Sequence, residues 1–130
     1  MMTRRLGSGC AFVVGLLMLV APAFAHHGSA GEDTSKVVTV KGTVTDFQYI
    51  NPHVQVYVDV KDEQGNVQNW NGELSNALVL RRAGWNSKLI KPGDVVTLNG
   101  YQDKKKTPYL RLISVVLPDG RVMEAFPRLE

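Results

Sequence analysis

Valines alternate with polar residues along two stretches of the chain, 38–45 and 54–61. An alternation of period two is typical of a β-strand with one face in the core and the other in water. We therefore predict a strand over each stretch. The valines expected to face the core are Val38, Val40, Val44, Val54, Val56, Val58 and Val60.

Turn signals divide the rest of the chain into further short elements. Turns that contain Gly and Asp are expected at 62–66, 91–94 and 118–120. Ser75 is the expected N-cap of a short helix over 76–83, which Gly84 can end in a left-handed conformation. The remaining strands are predicted over residues 67–74, 95–101, 109–117 and 121–126.

Three strands, one short helix and then two or three strands predict an all-β fold. This element order is that of a small OB-like antiparallel barrel of five or six strands, with the helix between strands 3 and 4. Ring closure would pair the strand edges that a small open sheet leaves exposed. An open β-sandwich of the same strands is the alternative. The chain has no internal repeat, and we expect one such domain over residues 37–130.

The first 25 residues have the features of a secretory signal peptide. Two arginines precede an apolar run over 11–20, and Ala23-Phe24-Ala25 is a small-x-small cleavage signal. Cleavage there would make His26 the new N-terminus. A cleaved signal peptide predicts a periplasmic or secreted protein with no membrane span after processing. Residues 26–36 lack a strand pattern and are predicted to form a flexible arm.

Removal of the leader changes the charge and the cysteine content. The full chain has 15 basic and 12 acidic side chains, and loss of residues 1–25 leaves 13 and 12, a net charge of +1. A domain so close to neutral is not expected to bind nucleic acid. Cys10, the only cysteine, leaves with the leader. Since no serine or glycine-rich motif marks a nucleophile or a phosphate loop, we predict no catalytic residue.

The three histidines are the candidate metal ligands. After cleavage, His26 would carry a free α-amine beside its imidazole, and two such nitrogens can chelate one metal ion. His27 follows directly, and His53 lies in the loop between the first two strands, a usual ligand-binding loop of OB-like barrels. The ten residues from His27 to Val37 span up to about 33 Å when extended, so the terminus can reach that loop.

Copper is the favoured metal because it prefers nitrogen-rich, near-planar sites. Zinc and nickel are less favoured, since three histidines without a cysteine or an assigned carboxylate define no tetrahedral set for zinc. A cut after Ala23 would place His26 third in the chain, where it can also bind Cu(II) or Ni(II). In the alternative interpretation His26 and His27 are solvated and His53 only forms hydrogen bonds within its loop.

A second candidate site combines lysines and aromatic residues from two loops. Aromatic rings beside cations can hold a small anionic or sugar-like ligand. The alternative is that the lysines are a solvated hairpin tip. The residues predicted to bind such a ligand are Tyr49, Asn51, Tyr101, Lys104, Lys105 and Tyr109.

The helical segment supplies candidates for packing rather than chemistry. Its large apolar residues are expected to pack it against the barrel. Arg81 and Arg82 are expected to face solvent, with a weak ion pair to Glu73 as an option. The packing residues are Trp70, Leu78, Leu80 and Trp85.

Six short motifs along the chain form a recognisable combination. They are His26-His27, Asn51-Pro52-His53, Trp70 with Glu73, Leu80-Arg81-Arg82-x-Gly84-Trp85, Lys91-Pro92-Gly93-Asp94 and Pro118-Asp119-Gly120. The combination resembles a family of small exported bacterial proteins classed as a domain of unknown function. The resemblance covers essentially the whole mature chain. It implies an exported bacterial domain and supplies no activity.

These features predict an exported binding module that holds copper through a mature N-terminal histidine and a loop histidine. One alternative is a copper-dependent oxidative enzyme. Another is a metal-free adaptor domain that docks a second envelope protein. Binding is favoured because oxidative catalysis also needs an open coordination position and a place for substrate.

Overall fold

The computed structural model describes residues 31–128, which form a six-stranded sheet and one short helix. The elements follow the predicted order along the chain. Their bounds are β1 Glu32–Gln48, β2 Gln55–Lys61, β3 Val67–Glu73, α1 Ala77–Arg82, β4 Val95–Asp103, β5 Tyr109–Val116 and β6 Val122–Glu124.

The sheet closes on itself through β3 and β5. The strand order is β3-β2-β1-β4-β5-β6, and β3 also pairs with β5. That closing pair is parallel and joins residues 71–73 to residues 109–111. Five strands therefore form a barrel-like ring, and β6 extends it as an antiparallel partner of β5. The prediction of an all-β, OB-like fold with one helix between β3 and β4 is confirmed.

The first strand begins earlier than the sequence pattern indicates. β1 starts at Glu32, which pairs with Asp103 of β4. Lys106 Nζ lies 3.1 Å from Asp33 Oδ2 and ties the same end of the strand to the β4–β5 loop. Residues 32–36 of the predicted arm over 26–36 are therefore part of β1, although they have no apolar alternation of their own.

A bulge in β1 reverses the alternation of its side chains. Val44 pairs with Val58, whereas Asp46 pairs with Tyr57, so the register shifts by one residue between them. The extra residue is Thr45, and such a bulge bends a strand and increases its twist. Phe47 consequently packs against the core although it stands at an odd spacing from Val44.

The core contains the predicted valines. Val44, Val54, Val56 and Val58 are buried, and the other three predicted valines pack against them while partly exposed. The helical segment adds Leu80 and Trp85, whose indole Nε1 donates to the Glu124 carbonyl at 2.9 Å and so fixes β6. Buried residues from the other elements are Leu74, Ile90, Val96, Leu98, Leu110, Leu112, Val115, Leu117 and Ala125.

The N-cap of helix α1 lies one residue later than predicted. Asn76, not Ser75, is the N-cap, and its side chain accepts a hydrogen bond from Val79 N at 2.9 Å. Gly84 follows the helix with a φ of 93°, the left-handed conformation that the sequence indicated. Leu78 was expected to pack against the barrel but is 47% exposed.

The leader and both tail histidines lie outside the described residues. This applies to the predicted signal peptide over 1–25, to its cleavage site, and to His26 and His27. Within residues 31–128 no helix has the length and apolar character needed to cross a membrane.

Candidate ligand-binding site

His53, Glu73 and Tyr109 form a row of polar side chains in contact at one end of the ring. His53 Nδ1 lies 2.9 Å from Glu73 Oε1, and the Tyr109 hydroxyl donates to Glu73 Oε2 at 2.7 Å. The three side chains come from the β1–β2 loop, the end of β3 and the start of β5. Both oxygens of the Glu73 carboxylate are therefore engaged by neighbouring side chains.

The β1–β2 loop is held by the segment that leads into α1. Val54 N donates to the Ser75 carbonyl at 3.0 Å, and the Asn51 side-chain oxygen accepts from Ala77 N at 3.1 Å. The Tyr49 hydroxyl donates to the Ala77 carbonyl at 3.0 Å. These contacts fix the loop immediately before and after His53, and so fix where its imidazole projects.

Burial and negative charge keep the Tyr109 hydroxyl protonated. Burial raises the pKa of Tyr109, and the hydrogen bond to Glu73 and the charges of Glu73 and Glu32 raise it further. The hydroxyl therefore stays a donor to Glu73 at neutral pH.

The contact with Glu73 distinguishes the two nitrogens of His53. Nδ1 faces the carboxylate, which only accepts hydrogen bonds when ionised, so Nε2 is the ring nitrogen available to a metal ion. The side chain of His53 is 44% exposed. A carboxylate behind a histidine is the usual support of a histidine metal ligand.

Three further oxygen atoms near this row are buried without a hydrogen-bond partner in the described part of the chain. They are Glu32 Oε2, Gln55 Oε1 and Asn71 Oδ1. Gln55 pairs in register with Glu73, and Asn71 pairs with Tyr109. This face of the ring is consequently rich in acceptors, which favours a cation or a proton donor over an anion.

The described residues alone do not complete a metal site. Among residues 31–128 no group of three or more His, Cys, Asp or Glu side chains is arranged to hold a metal ion. His53, with Glu73 beside it, is a single candidate ligand. Further nitrogen ligands would have to come from the tail that contains His26 and His27.

The residues predicted to bind a small ligand separate into different surroundings. Tyr109 joins His53 through Glu73, whereas Tyr49 and Asn51 hold the β1–β2 loop to the helical segment. Lys104 and Lys105 are exposed in the turn after β4. Lys104 N also donates to the Gly31 carbonyl at 3.0 Å, so part of this loop anchors the start of β1.

Tyr101 lines a cleft on the outer surface. No pattern in the sequence predicts this cleft. The cleft has a volume of about 800 Å³ and lies between β4, β5, β6 and the segment after β6. Ile113 is the extra residue of a bulge in β5, since Asn99 pairs with Ser114 and the next residue of β4, Gly100, pairs with Leu112. The bulge turns Ile113 outward into the cleft.

Arg111 connects the cleft to the histidine row. Its guanidinium carbon lies 4.5 Å from the centroid of the Phe126 ring, and that ring lies 6.5 Å from the His53 imidazole at an angle of 67°. Arg111 also pairs in register with Glu73 on one side and with Tyr101 on the other. The sequence held a signal for part of this arrangement. If β2 and β3 pair as a hairpin around the predicted 62–66 turn, Gln55 lies opposite Glu73, and His53 lies two residues before Gln55.

The weak ion pair considered between Glu73 and the helix arginines is absent from the described residues. Glu73 binds His53 and Tyr109 instead, and Arg81 and Arg82 are exposed in the last turn of α1. This leaves the helix arginines outside the candidate site.

Comparison with known proteins gives a family and no activity. A search of curated proteins finds no significant match. The model of a family of unknown function, DUF6152, matches residues 14–109, which is most of the chain and includes β1 to β4, α1 and the histidine row. The chain therefore belongs to DUF6152, a family of unknown function.

Proposed function

We propose that this protein is an exported binding module for one Cu(II) ion. In this proposal the ligands are the α-amine and imidazole of His26, once the leader is removed, and Nε2 of His53. The observation that carries it is the 2.9 Å contact between His53 Nδ1 and Glu73 Oε1. With Nδ1 against the carboxylate, Nε2 is the ring nitrogen left for a metal ion, and a carboxylate beside a histidine is the usual support of a histidine ligand.

The proposal requires the tail to reach from Gly31 to His53. Gly31 is held at the β4–β5 loop by Lys104 N, and the next residue, Glu32, acts on the pKa of Tyr109. Tyr109 in turn reaches His53 through Glu73. The five residues from His26 to Gly31 span up to about 17 Å when extended. This is shorter than the tail expected from the sequence, because β1 already begins at Glu32.

The surroundings of His53 favour a cation. The unpartnered oxygens of Glu32, Gln55 and Asn71 surround the row with acceptors, and the Glu32 carboxylate is a further candidate ligand. Copper is proposed over zinc and nickel because an amine with two imidazoles is a nitrogen-rich set. His27 is the alternative to His53 as the further imidazole donor.

The test uses protein that has been exported and processed, with its N-terminus established by intact mass and N-terminal sequencing. Cu(II) affinity is measured by competition titration, and the ligand set is measured by electron spin resonance. One Met inserted before His26 separates the amine from the imidazole. His53→Ala removes the loop ligand, and Ile50→Ala, at an exposed position of the same loop, is its matched control.

We expect both the Met insertion and His53→Ala to weaken Cu(II) binding and to change the spectrum, while Ile50→Ala changes neither. Affinity should also fall in acid, because protonated imidazole and amine do not coordinate. A mature N-terminus other than His26 would remove the proposed chelate. An unchanged spectrum in His53→Ala would show that copper binds the tail alone.

A further inference from the structure

Arg111 is a positively charged side chain without a carboxylate partner in the part of the chain that is described. No Asp or Glu among residues 31–128 lies within ion-pair distance of it. Glu73 is its neighbour in the β3–β5 register, but one Glu73 oxygen lies against His53 Nδ1 and the other accepts from Tyr109. The planar donors of the guanidinium therefore remain available.

The Phe126 ring packs against the guanidinium. The Phe126 ring lies 4.5 Å from it, and Tyr101 is its cross-strand neighbour in β4. Such packing fixes an arginine without using its N–H groups. A guanidinium prepared in this way is suited to bidentate binding of a carboxylate or a phosphate.

The cleft beside Arg111 has the size and lining of a small-molecule site. Its volume of about 800 Å³ lies within the range of ligand pockets, roughly 300–1,000 Å³. Ile113 and Val122 line it and are exposed, Val122 by 64%. An apolar ligand that covers these side chains would remove their apolar surface from water, and this would contribute favourable free energy to binding.

The charges along the cleft favour a ligand with a single negative charge. Arg111 and Arg128 supply two positive charges and Glu124 supplies one negative charge. The sum of +1 complements a monoanion, and the Glu124 carboxylate opposes a second negative charge on the ligand.

From these contacts we propose that the cleft binds a small aromatic monocarboxylate. The carboxylate forms a bidentate pair with Arg111, and the aromatic ring lies against Tyr101, Phe126 and the apolar wall formed by Ile113 and Val122. This site requires no metal and does not depend on the proposed copper function.

The experiment titrates benzoate into the mature protein in the presence of a chelator, followed by heteronuclear NMR. Benzamide has the same shape without the charge, and inorganic phosphate has charge without the ring. We expect benzoate to bind with a dissociation constant on the order of 1 mM or below, and to shift the amides of the cleft. Benzamide and phosphate should each bind at least about tenfold more weakly.

Two variants with matched controls test the assignment of the site. Arg111→Gln should weaken benzoate binding at least about tenfold, whereas Arg82→Gln, on the exposed surface of α1, should not change it. Val122→Asp places a negative charge in the cleft at an exposed position where folding is not at risk, and it should abolish binding. Val67→Asp, also at an exposed strand position, is its control.

The proposal is overturned if benzoate causes no shifts in the cleft at 10 times the expected constant, roughly 10 mM. Equal binding of benzamide would show that Arg111 does not recognise the ligand. Equal binding of phosphate would show a site for oxyanions in general. Because copper is excluded throughout, each of these results leaves the test of copper binding unaffected.

Discussion

The Tyr109 hydroxyl donates to Glu73 Oε2 at 2.7 Å across the parallel pairing of β3 and β5, the seam at which the ring closes. Only residues 71–73 and 109–111 pair at this seam. A hydrogen bond to a carboxylate is among the stronger ones in proteins. The side chains that support His53 therefore also help to close the fold.

Tyr109→Phe should destabilise the protein by about 1–3 kcal/mol, because it leaves Glu73 Oε2 without its donor in a partly buried place. Tyr57→Phe is the control, since the Tyr57 hydroxyl makes no hydrogen bond within residues 31–128 and should cost less than about 0.5 kcal/mol. Denaturant unfolding of both variants gives the two values. Equal stabilities would show that the seam does not depend on this bond.

Truncation of a core valine should cost much more than truncation of a surface valine. Val58→Ala removes two methyl groups from a fully buried position and should cost about 1–3 kcal/mol. Val37→Ala makes the same change at a position that is 49% exposed and should lie within about 0.5 kcal/mol of the wild type. Chemical denaturation measures the difference, and similar costs at both sites would contradict the register of β1 and β2.

Gly100→Ala should destabilise the protein because β4 and β5 approach closely at this position. A Cβ on Gly100 would lie 2.5 Å from the Arg111 carbonyl oxygen, so the backbone would have to move. A cost of about 1–3 kcal/mol is expected, as for other overpacked sites. Gly31→Ala, which meets no atom within 4 Å, is the control. The melting temperatures of the two variants provide the comparison.

The Asp62 turn should make part of the stability depend on pH in acid. Hydrogen bonds from the Asn66 side chain, and from the backbone of Asn66, Gln64 and Gly65, hold the pKa of Asp62 below its usual value. A carboxylate with a depressed pKa in the folded state stabilises it above the unfolded pKa of about 3.9, and this contribution is lost as the pH falls toward the folded value.

Asp62→Asn should therefore lower the melting temperature at neutral pH, and the difference from wild type should narrow between about pH 5 and pH 2. Glu63→Gln removes the same charge from the same turn and leaves the Asp62 hydrogen bonds in place. Thermal unfolding across this pH range measures both. A difference that stays constant with pH would contradict the linkage.

Local patterns in the sequence were sufficient for most of the fold. The valines of β1 and β2 alternate because their strands are buried on one face. The turns at Asp62 and Gly93 contain the residue types that form turns, since the Asp62 side chain accepts from Asn66 N and Gly93 has a positive φ. The strand over 32–36 could not be predicted in this way. Its order comes from pairing with β4 and from the Lys106 contact, which are distant in sequence.

The candidate site was only partly visible in the sequence. His53 was identified from its residue type and loop, but Glu73 was considered only as an optional weak partner of the helix arginines, because local spacing cannot show what lies across a strand pair. The cleft was not predicted because it depends on the bulge at Ile113 and on the contact between the Phe126 ring and Arg111. Both are features of tertiary contact that leave no periodic signal.

The Phe126 ring has a neighbour on each side, the His53 imidazole at 6.5 Å and the Arg111 guanidinium at 4.5 Å. A ligand that displaces this ring from the Arg111 side changes the packing of the imidazole, so the two proposed sites share this one side chain. Thermodynamic linkage then requires reciprocity: whatever factor a carboxylate imposes on the copper affinity, copper imposes on the carboxylate affinity. Titration of either ligand in the presence of the other measures this factor.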